Sequence, residues 1–177
     1  MAITKIAING FGRIGRNAFK IAWERSDLEV VAINDLTDTK TLAYLLKHDS
    51  NYGEYGRQVD FTENELVVDG KSVKVLAEKD PTNLPWGETN IDVVIESTGF
   101  FTDKDGAGKH LAAGAKRVVI SGPTKSDGVD TIVLGTNDSK IKDATPIVSN
   151  ASCTTNSLGA VMAVLDADIM IYHVTAP

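Results

Sequence analysis

The chain has 177 residues, 42% of them hydrophobic and 24% charged, and a formal net charge of −6 at pH 7. That length suits one domain, with room for an appendage, and the composition allows a full core. The acid excess without any run of Lys or Arg argues against a nucleic-acid partner, and no apolar run is long enough to span a bilayer.

The start Met1-Ala2-Ile3-Thr4 shows no basic-then-apolar leader, so export is not the expectation. The apolar run Ile6-Ala7-Ile8 reads as a strand, and it meets the turn Gly10-Phe11-Gly12-Arg13-Ile14-Gly15. Glycines spaced Gly-x-Gly-x-x-Gly between a strand and a helix have separate tasks. Gly10 reverses the chain, Gly12 lets backbone approach a pyrophosphate, and Gly15 lets the helix lie close to the strand. The helix N-terminus then offers free N–H groups and a positive dipole end to phosphate. Asn17 to Arg25 is predicted as that helix, with Ala18, Ile21 and Ala22 on its packed face.

The next apolar run, Leu28 to Asn34, reads as a strand buried on both faces, and Asp35 follows it 20 residues after Gly15. A carboxylate there can accept both ribose hydroxyls and repel a 2′-phosphate, which points to NAD over NADP. The alternative is a tight turn in an unrelated α/β protein. Thr37-Asp38-Thr39 opens a second helix with Leu42, Leu45 and Leu46 on one face, and Lys47 to Gly56 is predicted as loop. Gln58–Phe61, Glu65–Val68 and Ser72–Leu76 read as short antiparallel strands joined in part by the Asp69-Gly70 turn. They form a hairpin insertion in the α/β alternation. Pro81 and Pro85 mark a loop over which Trp86 packs.

Alternation resumes at Ile91–Glu96, which enters a second glycine turn, Ser97-Thr98-Gly99. A helix over about Asp103–Ala113, weakened by Gly106 and Gly108, a strand Arg117–Ile120, and candidate strands at Thr131–Leu134 and Ile147-Val148 complete the pattern. The fold class is therefore α/β: a doubly wound, mostly parallel sheet (Rossmann) with a small antiparallel hairpin insertion. His48 and His110 lie in helical segments without a second ligand at metal spacing, so both read as surface or second-shell residues and no metal site is predicted.

Cys153 is the sole cysteine. It suits a reducing cytosol, as a buried small hydrophobe or as a nucleophile. It stands at the first turn of a final helix whose predicted buried side is Leu158, Val161, Met162 and Leu165. The dipole there favours thiolate, and a thiolate beside a nicotinamide suits aldehyde oxidation through an acyl-thioester.

Several stretches together resemble the phosphorylating glyceraldehyde-3-phosphate dehydrogenases over roughly the first nine-tenths of the chain. They include Ile8 to Arg16, Ala32 to Thr37, Lys47-His48-Asp49-Ser50, Ile95 to Gly99, His110 to Lys116, Val119 to Pro123, and Asn150 to Asn156. The resemblance implies NAD as cofactor, held by Asn9, Gly10, Gly12, the backbone of Arg13 and Ile14, Asp35, Lys79 near the adenine, and Thr98, Gly99 and Ser121 toward the nicotinamide. It implies Cys153 as the acylated nucleophile, with Ser152 and Thr154 helping to bind phosphate. An aldehyde phosphate and inorganic phosphate would be the small-molecule partners, the compartment cytoplasmic, and the family assembly a tetramer. Residues 1–153 would be the NAD-binding domain and residues 154–177 a helix and divergent tail.

That tail departs from the family, whose helix leads to a strand ending Thr-Thr-Val-His-Ala-Tyr-Thr. Here His173 comes 20 residues after Cys153 with different neighbours, and the family's second domain has no counterpart. The expectation is a chain that binds NAD weakly, does not complete the reaction, and exposes apolar surface over Val161–Ile171. Erythrose-4-phosphate dehydrogenase, which shares the cysteine motif, and a non-catalytic nucleotide-binding protein remain as alternatives.

Overall fold

The computed structural model describes residues 2–169, so the expectation placed on His173 lies outside the described residues. Strand β1 (Thr4–Asn9) runs into the glycine turn, and α1 (Arg13–Trp23) leaves it directly, four residues earlier than the pattern predicts. Its buried residues include Gly15, Phe19 and Ala22, spaced 4 and 3. Ile21 is exposed, a correction to the predicted face. It lies two residues from Phe19, about 200° around the helix and so on the opposite side. Strand β2 (Leu28–Asn34) pairs parallel to β1, and α2 (Thr39–Lys47) follows, its first turn capped by Asp38 accepting the Thr41 amide at 2.9 Å. Leu42 and Leu46 are buried beneath α2, and Leu45 is half-buried.

The stretch predicted as loop contains a two-residue hairpin, β3 (His48–Asp49) with β4 (Gly53–Glu54). Asp49 turns it by accepting the amides of Asn51 and Tyr52. Next come β5 (Val59–Phe61), β6 (Glu65–Val68) and β7 (Lys71–Leu76). β5 and β7 each pair antiparallel with β6, yet β7 is also parallel to β2, so the insertion is fused to the main sheet. Asp69 and Gly70 both have positive φ, as the two-residue turn requires.

The second half adds β8 (Val93–Glu96), α3 (Lys104–Ala112), β9 (Arg117–Ile120), β10 (Asp130–Thr131), β11 (Ile147–Ser149) and α4 (Cys153–Ile169). Among the described residues the main sheet runs β10-β11-β9-β8-β1-β2-β7-β6-β5, parallel from β10 through β7. The chain steps outward from β1 on one side, then crosses back to β8 on the other. β1 is therefore where strand order reverses, and its carboxyl end faces the natural crevice of such a sheet. The expected strand over Thr131–Leu134 stops at Thr131 because Asn137 bends the chain, accepting the Val133 amide and donating to the Thr131 carbonyl.

Ile6, Ile8, Phe19, Leu42 and Leu46 pack on one face of the sheet; Ala7, Ala32, Trp86, Ile91 and Val94 pack on the other. The β1–β2 ladder carries a bulge. Ile6 pairs with Val30 but Ala7 with Ala32, leaving Val31 as the extra residue. Val30 and Ile33 consequently share one core despite their odd spacing. α4 meets the rest of the chain at Gly159, close to Val133 and Thr136. Its expected buried side is a correction: Leu158, Val161 and Leu165 are exposed, as is Val164. The expectation of bare apolar surface on this helix agrees for those residues.

Candidate functional site

The carboxyl ends of β1, β2 and β8 open on a cleft of about 590 Å³. Gly10 holds its floor at φ +88°, and a Cβ there would stand 2.7 Å from the Thr98 amide nitrogen. The turn after β1 and the turn after β8 thus touch backbone to backbone. A Cβ on Gly15 would lie 2.1 Å from the Gly10 carbonyl oxygen, so α1 can leave the turn this closely only with glycine at that position. Gly12 is different. Nothing lies within 4 Å of its Cβ position, and the residue borders the cleft. It is the N-cap of α1, and no side chain caps that helix. An open glycine at an uncapped helix start is a fit for a phosphate-bearing ligand.

Asp35 also borders the cleft. Its Oδ2 accepts the Phe11 amide at 2.7 Å and its Oδ1 the Thr37 amide at 2.9 Å, so ribose hydroxyls would use the remaining lone pairs. Arg16 braces the same turn from behind, donating through Nη1 to the Phe11 carbonyl at 3.0 Å. Around the rim stand Leu36, Lys79, Phe100 and Phe101.

Beneath the cleft lies a buried polar cluster that periodicity does not reveal. The Glu96 carboxylate accepts Asn9 Nδ2 at 2.6 Å, His110 Nε2 at 3.0 Å, the Thr98 amide at 2.8 Å and the Thr98 hydroxyl. Glu96, Asn9 and His110 are buried. Trp86 donates its indole N–H to His110 Nδ1 at 3.0 Å. That ring nitrogen must then be an acceptor, which assigns His110 as the neutral tautomer with its single proton on Nε2. Of the two readings open to these histidines, His110 takes the inner one, facing inward from α3 behind the cleft, while His48 is exposed at the end of α2. The cluster extends to Asn34, which donates to Asn9 Oδ1 at 2.7 Å and accepts the Glu78 amide at 2.8 Å. A glutamate closing an otherwise apolar strand was the available sequence signal.

Cys153 is exposed at the first residue of α4. Ser152 is the N-cap: its hydroxyl accepts the Thr155 amide at 3.0 Å and pairs with the Thr154 and Thr155 hydroxyls. Since β11 runs parallel with β9, β8 and β1, the thiol emerges at the same sheet edge as the cleft. Three strand steps separate β11 from β1, roughly 14 Å at the usual spacing.

A family model described as "Glyceraldehyde 3-phosphate dehydrogenase, NAD binding domain" matches residues 4–104, which span β1 through the start of α3. The chain belongs to the glyceraldehyde-3-phosphate dehydrogenase family. It is 53% identical over 165 residues to the glyceraldehyde-3-phosphate dehydrogenase of Thermotoga maritima, covering 92% of this chain and 49% of that protein. For the Borreliella burgdorferi protein of the same name the identity is 56% over 166 residues, 91% of this chain and 49% of the other. For that of Geobacillus stearothermophilus it is 54% over 162 residues, with 91% and 48% covered. The chain thus spans about half the length of the curated relatives it matches. Its cofactor region is the NAD-binding domain of glyceraldehyde-3-phosphate dehydrogenase.

Among the residues that the resemblance nominates, the cleft brings together Asn9, Gly10, Gly12, Asp35, Lys79 and Thr98. Arg13 and Ile14 instead line a neighbouring groove of about 510 Å³ with His48, Asp49 and Tyr52. Gly99 follows Thr98 with φ +80°, and Ser121 donates its amide to the Glu96 carbonyl one strand away. Ser152, Cys153 and Thr154 stand apart at the start of α4. No group of three or more His, Cys, Asp or Glu suited to a metal occurs among the described residues, and none of their helices is long and apolar enough to cross a membrane.

Proposed function

We propose that this chain supplies the cofactor cleft and the nucleophile of a cytoplasmic, NAD-dependent, phosphorylating glyceraldehyde-3-phosphate dehydrogenase. The observation carrying this reading is an open Gly12 at the uncapped start of α1, with Asp35 beside it on the same cleft. Gly10, Gly12 and the amides of Arg13 and Ile14 would hold the pyrophosphate, Asp35 the adenosine ribose, and Lys79 the adenine side. Thr98, Gly99 and Ser121 would face the nicotinamide, with Asn9 also among the cofactor-binding residues. NAD bound there would supply the hydride acceptor for aldehyde oxidation.

The chain's own chemistry centres on Cys153. Its sulfur would form a bond to the aldehyde carbon, and after oxidation would carry the acyl group as a thioester. Inorganic phosphate, helped by Ser152 and Thr154, would attack that acyl carbon and release the sulfur. The relatives named above are all glyceraldehyde-3-phosphate dehydrogenases, which favours that substrate over erythrose 4-phosphate. Assembly as a tetramer belongs to the same reading, as does the division into residues 1–153 and 154–177.

Because residues after Val164 depart from the family pattern, the 177 residues by themselves should bind NAD without sustained turnover. Calorimetric titration with NAD, alongside NADH formation from glyceraldehyde 3-phosphate and phosphate, tests both halves. Saturable binding with no steady turnover is expected. Absence of NAD binding would overturn the cofactor assignment, and full-rate turnover would overturn the account of the tail.

A further inference from the structure

The Glu96 carboxylate reaches both turns bordering the cleft from beneath, while the Ser97 hydroxyl joins them above by donating to the Asn9 and Gly10 carbonyls. The carboxylate reaches Asn9 at the end of β1 through one oxygen and Thr98 at the end of β8 through the other. Through Asn9 it also reaches Asn34, and Asn34 holds the Glu78 amide beside Lys79. Its fourth donor, His110, has a single proton to give, because Trp86 occupies the other ring nitrogen. The other tautomer would set two donors face to face at Trp86 and two acceptors at Glu96, and a ring flip would put C–H groups against both partners in a buried space.

We propose that Glu96 is a positioning residue: its carboxylate, oriented by His110 and Trp86, sets the relative placement of the Asn9 and Thr98 rims of the cleft. This rests on the reading that the cleft takes NAD. Four donors converging on one buried carboxylate leave it no free direction in which to rotate. The rims are thereby held at the spacing that a ligand lying across them would need, and less ordering is left for the moment of binding.

The test uses the full chain and Glu96→Gln. An amide side chain must aim its NH₂ either at Asn9 and His110 or at the two Thr98 donors, so one pair is lost. With the NH₂ toward Thr98, exchange of the Thr98 amide with solvent should rise about tenfold or more; with the NH₂ toward Asn9 and His110, the His110 proton should leave Nε2; in either case NAD should bind about tenfold more weakly. Exchange at Val67 on β6 should stay unchanged, whereas a general loss of stability would speed both. In the parent, nitrogen NMR should show His110 with its proton on Nε2 alone.

Should Glu96→Gln fail to fold, Trp86→Phe carries the same test by removing only the indole donor. His110 then shows mixed tautomers, and Thr98 exchange rises. Unchanged Thr98 exchange together with an unchanged His110 tautomer in the folded variant, or a parent His110 protonated on Nδ1, overturns the proposal. If the parent chain does not bind NAD, the cofactor reading fails, while the exchange and tautomer measurements still decide the role of Glu96.

Discussion

The Asp35 carboxylate accepts the Phe11 amide at 2.7 Å, so the end of β2 grips the middle of the glycine turn that leaves β1. One side chain therefore serves the shape of the turn and, on the reading above, the choice of cofactor. Asp35→Ala should weaken NAD binding by about tenfold, the usual effect of losing a charged hydrogen-bond partner. Binding of NADP should fall less, because the repulsion of a 2′-phosphate disappears along with the ribose contact. Parallel titrations with both dinucleotides would check this, and an unchanged NAD/NADP ratio would contradict it.

Gly12 and Gly15 sit three residues apart and should respond in opposite ways to the same substitution. Gly15→Ala drives a methyl group to within 2.1 Å of the Gly10 carbonyl, where backbone must move. A cost of about 3 kcal/mol or more in unfolding free energy is expected from such overpacking. Gly12→Ala meets nothing within 4 Å and should melt like the parent. Its methyl stands at the helix start where phosphate would approach, so its NAD affinity should drop severalfold. Thermal melts with and without NAD separate the two effects.

At the far end of the sheet, Asp92 accepts Lys116 Nζ at 2.6 Å and the Lys5 amide at 2.9 Å. The Lys116 hydrogen bond, then the Lys5 amide, hold its carboxyl below the ordinary aspartate value. A lowered value in the folded state means stability that is present above the ordinary value of about 3.9 and is lost as pH falls through the folded one. Asp92→Asn should therefore be less stable than the parent at neutral pH. The two denaturation midpoints should converge below about pH 4.

Ser152 closes the start of α4 by accepting the Thr155 amide. Ser152→Ala should cost about 1 kcal/mol of helix stability, and Ser152→Asp should restore most of it. Amide exchange at Thr155 is the direct measure. Under the proposed chemistry the aspartate variant should still lose phosphate-dependent release of an acyl group from Cys153, since a carboxylate repels phosphate.

Much of the architecture is legible in residue order. The apolar runs, the Gly10–Gly15 spacing and the Asp69-Gly70 turn mark the strands, the cleft and the hairpin, because each depends on local backbone geometry. What residue order hides depends on neighbours distant in sequence. Ile21 fits a helical apolar stripe by spacing, yet the sheet meets α1 on the side of Phe19. By residue order His110 reads as a surface or second-shell residue and Glu96 as a strand end, and only the fold brings them within 3.0 Å in a buried space. The cleft residues Asn9, Gly10, Gly12 and Asp35 lie close to the motif and are readable from it. Cys153 is marked by its own sequence, but its place at the same edge follows from the strand order alone.

The bulge in β2 has a consequence for how this sheet tolerates change in length. Between Leu28 and Asn34 the strand holds one residue more than its partner requires, and the surplus is taken up at Val31, far from the cleft. The pairing of Thr4 with Leu28 and that of Asn9 with Asn34 are thus decoupled. Most single-residue deletions in a central strand throw every later side chain to the wrong face. Deleting Val31 would straighten the ladder and leave both ends in phase, so the binding edge can stay in place while the middle of its strand loses a residue.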